Sequence, residues 1–387
     1  SVSRYRDYSQ LGSSGDLLEL NEMGLLGTRN YRSMQLEGAE RIDGRNLKSY
    51  VVRTITCPRC IVHCKAEVEL KEGRHRGFRG GRPEYETVID LGALCGLTDP
   101  EALMYLSNLC NILGVDTIST GSVIAFAMDL YDRQILSREQ LDGIDLTWGN
   151  AEAMEQIMNR IVVREGIGDI LADGVFRAAE RIGGGAQQYA YHVKGVELYG
   201  SDPRGMTGTA LSYAVSMRGG DFTSVYPVPE FRYTEERAEK EFGTRQAVDR
   251  MATGGKGALV RYCLIVSSII DSLGICKVPA LTIAGNFDLE KETRLVRALA
   301  DLDVTRERLL YIGERVVNME KLFNLRFGAT SDLDTLPEKF LNEPIGEGPS
   351  TGARVDLKPM VQDFYKLMGW DDQGVPRPET LAAFNLP

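Results

Sequence analysis

Cys57-Pro58-Arg59-Cys60-Ile61-Val62-His63-Cys64 places three thiols within eight residues, in a chain that holds only seven cysteines. Thiolates so close together can converge on one soft metal centre. A Cys-x2-Cys pair alone fits a redox couple, and a second such pair would fit zinc. Three ligands are one short of an iron–sulfur cubane or a tetrahedral zinc site. The reading therefore turns on Cys95, Cys110, Cys263 and Cys276. Cys110 and Cys263 fall on apolar helical faces and read as buried, inert thiols. Cys95, in Leu94-Cys95-Gly96-Leu97, reads as structural, with a place near a metal as the sharper alternative. Cys276 follows Asp271-Ser272-Leu273-Gly274-Ile275 and precedes Lys277-Val278-Pro279. Gly and Pro there mark a tight turn that a ligand can approach closely.

That last pattern occurs twice. Asn111-Ile112-Leu113-Gly114-Val115-Asp116 and Asp271–Cys276 both read Asx-x-x-Gly-aliphatic-Asp/Cys. The Asx side chain can hydrogen-bond, and the glycine lets backbone approach a planar ligand. Taken singly, each copy also reads as an ordinary helix C-terminus.

The bulk composition narrows the function classes. With 387 residues, 43% hydrophobic and 26% charged, the chain is ordinary globular protein of two to three domains. A net charge of −10 argues against a nucleic-acid surface, which needs a basic patch. The apolar runs 121–130 and 262–270 are too short to span a bilayer. Cysteines without an extracellular framework favour a reducing cytoplasm. The chain opens at Ser1 rather than Met, which reads as a processed or truncated start.

Helical signals dominate. Thr98-Asp99-Pro100-Glu101 and Ser137-Arg138-Glu139-Gln140 read as capping boxes, and Asn150 and Thr305 as N-caps. The expected buried stripes are Leu103, Leu106, Leu109, Cys110 and Leu113; then Met154, Ile157, Met158 and Ile161; then Leu309, Ile312, Val316, Met319 and Phe323. Runs 121–131 and 262–270 are apolar nearly all round and read as core helices. Strands are expected only at 66–70 and 190–196. Segments 183–188 and 342–354 read as loops. The predicted fold is mainly α and multihelical, in two all-α domains, 1–195 and 196–387, with Gly195, Gly200, Pro203 and Gly205 breaking the periodicity between them.

With these motifs together, the chain resembles the tungsten-containing aldehyde:ferredoxin oxidoreductase family, in its two helical C-terminal domains. The resemblance extends to Asn21–Asn30, Pro83-Glu84-Tyr85-Glu86-Thr87, Val193–Leu198, Asp202-Pro203-Arg204-Gly205 and Asp334-Thr335-Leu336-Pro337. It implies that Cys57, Cys60, Cys64 and Cys276 hold one [4Fe–4S] cluster. It implies equally that Asn111, Gly114 and Asp116, with Asp271 and Gly274, contact a tungsten or molybdenum bis-pyranopterin. Asn111 replaces the family's usual Asp, keeping a hydrogen bond and losing a charge. Arg204 is the expected anion ligand, since its planar fork suits phosphate, with Lys194 and Lys277 as weaker candidates.

The implied activity is oxidation of an aldehyde to a carboxylic acid, with electrons leaving through the cluster to a ferredoxin or an iron–sulfur subunit. Glu84 or Glu86 is the expected acid or base, its pKa raised by burial. His63 is expected either to pack or to bond a cluster sulfur. The family carries an N-terminal β-rich domain that cradles the cofactor, and it is expected here as a partner rather than as part of this chain. A homodimer is a further expected assembly. Arg218-Gly219-Gly220-Asp221-Phe222 carries Phe222 where the aldehyde oxidases often have a histidine. A reducing relative of the benzoyl-CoA reductase type therefore stays open, as does a helical scaffold or zinc module.

Overall fold

A computed structural model describes residues 2–285 and 287–387, so Ser1 lies outside the described residues. Asp99 starts the first long helix, Pro100–Leu113. Its carboxylate accepts from the backbone N–H groups of Glu101 (2.9 Å) and Ala102 (3.2 Å). The cap is Asp99 rather than Thr98, because Pro100 at the first helical position forces the residue before it to be extended. Gly114 closes this helix at φ 75°. The chain then bends by 116° into helix Thr117–Asp132, which Asp116 caps through Ser119 N–H (2.7 Å).

Every residue from Thr120 to Leu130 is buried, as an all-round apolar run requires. Gly121 makes that burial feasible: a Cβ there would stand 2.5 Å from the carbonyl carbon of Asp90. Helix Thr117–Asp132 thus packs backbone to backbone on the π-helical turn Val88–Ala93. Asn150 caps Ala151–Val163 through Ala153 N–H (3.2 Å) and buries Met154, Ile157 and Met158, with Ile161 only partly covered.

The second capping box forms without a helix. Ser137 N–H donates to Gln140 Oε1 (2.9 Å), and Gln140 N–H donates to Ser137 Oγ (3.2 Å). Asp142 and Gly143 then both take positive φ, 55° and 84°, and the turn stops there.

In the second half, helix Lys256–Ser272 is central. Thr207–Val215, Arg306–Arg326 and Leu357–Met368 pack against it. Thr305 caps Arg306–Arg326 as expected, but the buried seam is Leu309, Gly313, Val317 and Lys321. Met319 and Phe323 are 45% and 62% exposed, against the expected stripe, and Ile312 and Val316 are only partly covered. The seam follows Gly313, where a Cβ would lie 2.8 Å from the Ile265 carbonyl oxygen. Close backbone contact there rotates the larger apolar side chains outward.

The main sheet is small and antiparallel, in the order β1 (Val51–Ile55), β2 (Lys65–Glu69), β3 (Arg79–Gly81). Expected strand 66–70 is β2 shifted by one residue. Expected strand 190–196 shrinks to a hairpin of β4 (His192–Val193) and β5 (Val196–Glu197), reversed at Lys194 and Gly195. Segment 183–188 runs into the 3-10 turn Ala186–Tyr189, and 343–356 carries neither helix nor strand. The fold is mainly α, and one cluster of buried apolar side chains extends from Leu17 to Trp370. Among the described residues, no single helix is long and apolar enough to cross a membrane.

Candidate functional site

The three-cysteine run is the connection between β1 and β2, so the sheet holds both its ends. Cys60 N–H donates to the Cys57 carbonyl (3.0 Å), and Thr56 Oγ1 donates to the Cys60 carbonyl (2.9 Å). Arg59 and His63, each one residue before a cysteine, have positive φ of 59° and 55°. Such alternation makes concave arrays of backbone N–H groups, a geometry common to anion and iron–sulfur sites. Arg82 lies buried beneath the loop, its fork donating to the carbonyls of Cys64 and Gln10, both at 2.8 Å.

Cys276 comes back to this loop. Burial raises the Cys64 pKa most, followed by the Glu84 carboxylate, while Lys65 opposes; the thiols of Cys276 and Cys60 raise it further. Cys57 in turn acts on Lys65. Cys57 and Cys276 are exposed, and Cys60 and Cys64 half-buried. Cys95, Cys110 and Cys263 are buried, with Cys95 Sγ bonding the carbonyls of Asp90 and Gly121 at 3.4 Å. Among the described residues, no group of three or more His, Cys, Asp or Glu side chains is already closed to metal-ligand geometry.

The two Asx-x-x-Gly segments are structurally equivalent helix ends. Val115 N–H donates to the Cys110 carbonyl (3.0 Å), and Ile275 N–H donates to the Ile270 carbonyl (3.1 Å), the six-to-one bond of a glycine-terminated helix. Gly114 and Gly274 have φ of 75° and 66°, and a Cβ on either would meet nothing within 4 Å. Each glycine faces open space. The copies diverge at their last residue, where Asp116 caps the next helix and Cys276 joins the thiols. Asn111 Nδ2 bonds its own helix at the Ser107 carbonyl (3.2 Å), and Lys277 pairs with Asp271 (2.8 Å).

Beside the thiols lies a cavity of about 270 Å³ lined by Ser13, Glu84, Tyr85, Glu86, Tyr199 and Phe222 among others. Glu84 accepts from Ser13 Oγ (2.6 Å) and Lys65 Nζ (2.8 Å). Glu86 has no cation partner among the described residues. Burial raises its pKa to about 7, opposed by a bond to its own backbone and reinforced by the charges of Glu84 and Asp16. Glu84 lines the cavity and also acts on Cys64, so cavity and thiols form one region.

Residues 2–386 match the family model described as aldehyde ferredoxin oxidoreductase, domains 2 and 3. The chain belongs to the aldehyde ferredoxin oxidoreductase family. It is 35% identical over 361 residues to the tungsten-containing aldehyde ferredoxin oxidoreductase of Pyrococcus furiosus, covering 92% of this chain and 56% of that protein. The Thermococcus kodakarensis enzyme of the same name is 34% identical over 364 residues, covering 92% and 57%. An aliphatic sulfonate oxidoreductase WOR-like subunit of P. furiosus is 33% identical over 343 residues, covering 84% and 49%. The chain thus spans about half the length of the curated relatives it matches. A chain of the benzoyl-coenzyme A reductase active site complex BamBC, solved with 1,5-dienoyl-CoA, superimposes with a TM-score of 0.75. It covers 97% of this chain and 60% of that one at 19% identity, a likeness of fold alone.

Two expected ligands of this family member are committed elsewhere. Arg204 is 3% exposed and donates to both Asp202 oxygens (2.7–3.2 Å) and to the Glu343 carbonyl (2.9 Å), so its fork stabilises the core instead of meeting an anion. Lys194 is likewise held by Asp334 and by the carbonyls of Ala214 and Ser216, all at 2.7 Å. Arg82 and Tyr226 were not legible as site residues. Arg82 reads as a surface charge until the loop folds over it. Tyr226 precedes Pro227, which favours extended backbone, yet has φ 59° and lines the cavity with its hydroxyl bonded to Thr282.

Proposed function

We propose that this chain is the helical part of a tungsten or molybdenum pterin oxidoreductase that oxidises aldehydes to carboxylic acids. In this reading, electrons pass singly through a [4Fe–4S] cluster to a ferredoxin or iron–sulfur subunit. The observation that carries it is the return of Cys276, at the end of the 256–272 helix, to within electrostatic reach of Cys64 in the β1–β2 loop. Cys57, Cys60, Cys64 and Cys276 would hold the cluster, and the positive-φ residues Arg59 and His63 favour backbone N–H donors toward its sulfur. Asn111, Gly114, Asp116, Asp271 and Gly274 would contact the pterins. The open space at both glycines fits a flat group there, and the exposed Ile112 and Leu273 beside them fit a covering N-terminal pterin-binding domain.

The bound metallopterin would supply the two-electron chemistry and the cluster the one-electron path. The chain's own residues then divide the remaining work. Glu86, poised near neutrality, exchanges a proton at its carboxylate as oxygen from water is taken up. Glu84, fixed by Lys65 and Ser13, keeps a negative charge pattern around Cys64.

Protein purified without oxygen, together with its longer native context, should contain iron, sulfide and tungsten or molybdenum, and should reduce a dye when given aldehyde. Cys276→Ser should remove iron and sulfide. Zinc without iron or sulfide, or an unchanged cluster in that variant, would overturn the assignment. A second reading rests on Phe222, which lines the cavity where a histidine was expected. It is reduction of an aromatic thioester, and a direct assay with that substrate separates the two.

A further inference from the structure

The cavity beside Glu86 is lined by six aromatic rings among aliphatic, polar and charged side chains. Tyr199 and Phe222 lie with ring centroids 4.4 Å apart, and Phe222 and Tyr226 are stacked at 5.9 Å and 24°. Tyr8, Tyr85 and Phe231 complete six rings around one space. A tyrosine held at positive φ is strained and persists there only where the surroundings impose it. Tyr226 is in that conformation, pinned by its Thr282 hydroxyl contact and by its N–H to the Phe222 carbonyl (2.7 Å). Those two contacts hold the third ring beside Phe222.

The charged groups at the cavity are four carboxyls and two guanidiniums. Arg4 is paired with Asp16 (2.8 Å), and Arg232 faces Glu19 (3.8 Å). The Nε of Arg4 has no partner but is itself buried. Glu84 has Lys65, which leaves Glu86 as surplus negative charge once the pH rises above about 7. An anionic substrate group would therefore meet carboxylates and no unmatched cation among the described lining residues. At about 270 Å³ the space is ample for a single ring, since about 150 Å³ suffices for benzene.

We propose that this cavity selects an uncharged, single-ring aromatic substrate and rejects anionic ones, carboxylates and sulfonates included. The proposal rests on the cavity being the substrate site of the aldehyde-oxidising reading above. The substrate ring would pack against the Tyr199–Phe222–Tyr226 array with its aldehyde carbon toward Glu86. The carboxylate product would be repelled by the same surplus charge, which favours its release.

The test compares three probes that need no redox chemistry: benzamide, cyclohexanecarboxamide and benzoate, titrated into the protein by ligand-observed NMR and calorimetry. Benzamide should bind about three- to tenfold more tightly than cyclohexanecarboxamide, the worth of one added aromatic pair. At pH 8, where Glu86 is ionised, it should bind at least about tenfold more tightly than benzoate, which places a second charge beside that carboxylate. Phe222→Leu should abolish the preference over cyclohexanecarboxamide while leaving benzoate weak. Phe231→Leu, nearer the surface, gives the same comparison should the first variant fail to fold. Equal binding of the two amides, or benzoate binding as well as benzamide, would overturn the proposal. Because the readout is binding, a protein that assembles the cluster but shows no ring preference fails this proposal alone. One that prefers benzamide but never holds iron fails the redox reading alone.

Discussion

Glu84 and Glu86 face one cavity from positions two residues apart, yet among the described residues only Glu84 pairs with a cation. Lys65 Nζ and Ser13 Oγ reach Glu84 at 2.8 and 2.6 Å, whereas Glu86 has burial and the neighbouring charges of Glu84 and Asp16. Paired carboxyls pushed into different environments are how a protein separates a fixed charge from a group that exchanges protons.

Glu86 makes stability depend on pH. Its pKa rises from 4.5 in the unfolded chain to about 7 in the folded one, so between those values the folded state binds more protons. Stability therefore falls as pH rises through that window and levels off above it. Glu86→Gln should flatten this part of the melting temperature against pH curve and should melt higher than the parent above pH 7. An unchanged slope would show that Glu86 titrates normally.

Gly121→Ala should destabilise by about 1–3 kcal/mol, the usual cost of overpacking. The new methyl would stand 2.5 Å from the Asp90 carbonyl carbon, and backbone cannot swing aside as a side chain can. Urea unfolding measures the loss. The π-turn that follows Glu86 would also shift, so the pKa of Glu86 should move in this variant.

Lys256 and Glu230 are both fully buried and joined at 2.6 Å, with Glu230 also accepting from Gly208 N–H (2.8 Å). Lys256→Met should cost about 3–5 kcal/mol, because it leaves a buried carboxylate uncompensated. The double variant Lys256→Met with Glu230→Leu should recover most of that loss, since ion pairs repay their desolvation poorly. A double-variant cycle in chemical denaturation checks both values.

Gly114→Ala and Gly274→Ala should each cost only about 1–2 kcal/mol, the penalty of a left-handed residue, because their Cβ atoms meet nothing. Should these loops hold pterins, metal content should fall far more than stability does. Loss of stability with full metal retention would count against the pterin assignment.

Much of the fold was legible because its signals are local. Asn150, Thr305 and the buried run around Gly121 behave as their sequence patterns predict, since capping bonds and all-round apolarity need no distant partner. Ser137 and Gln140 also formed their predicted bonds, but the two positive-φ residues that follow stopped the helix. The errors share a cause. Met319 and Phe323 face outward because Gly313 permits a close helix contact that apolar periodicity does not encode. Arg204 looked like an anion ligand because nothing local shows that Asp202 claims its fork in the core.

What the sequence alone determined is the chemistry available: the three-cysteine run, the doubled Asx-x-x-Gly pattern, the paired glutamates and the mainly helical fold. Membership of the aldehyde ferredoxin oxidoreductase family follows from the same residues. Only the tertiary structure decided which of those groups meet. It brought Cys276 back to Cys64, buried Arg82 under their loop and set Glu86 in a cavity with aromatic side chains from three distant segments. Thiol type and spacing are written along the chain, but proximity between residues far apart in sequence, and the burial that sets a carboxyl's proton affinity, arise only once the helices pack.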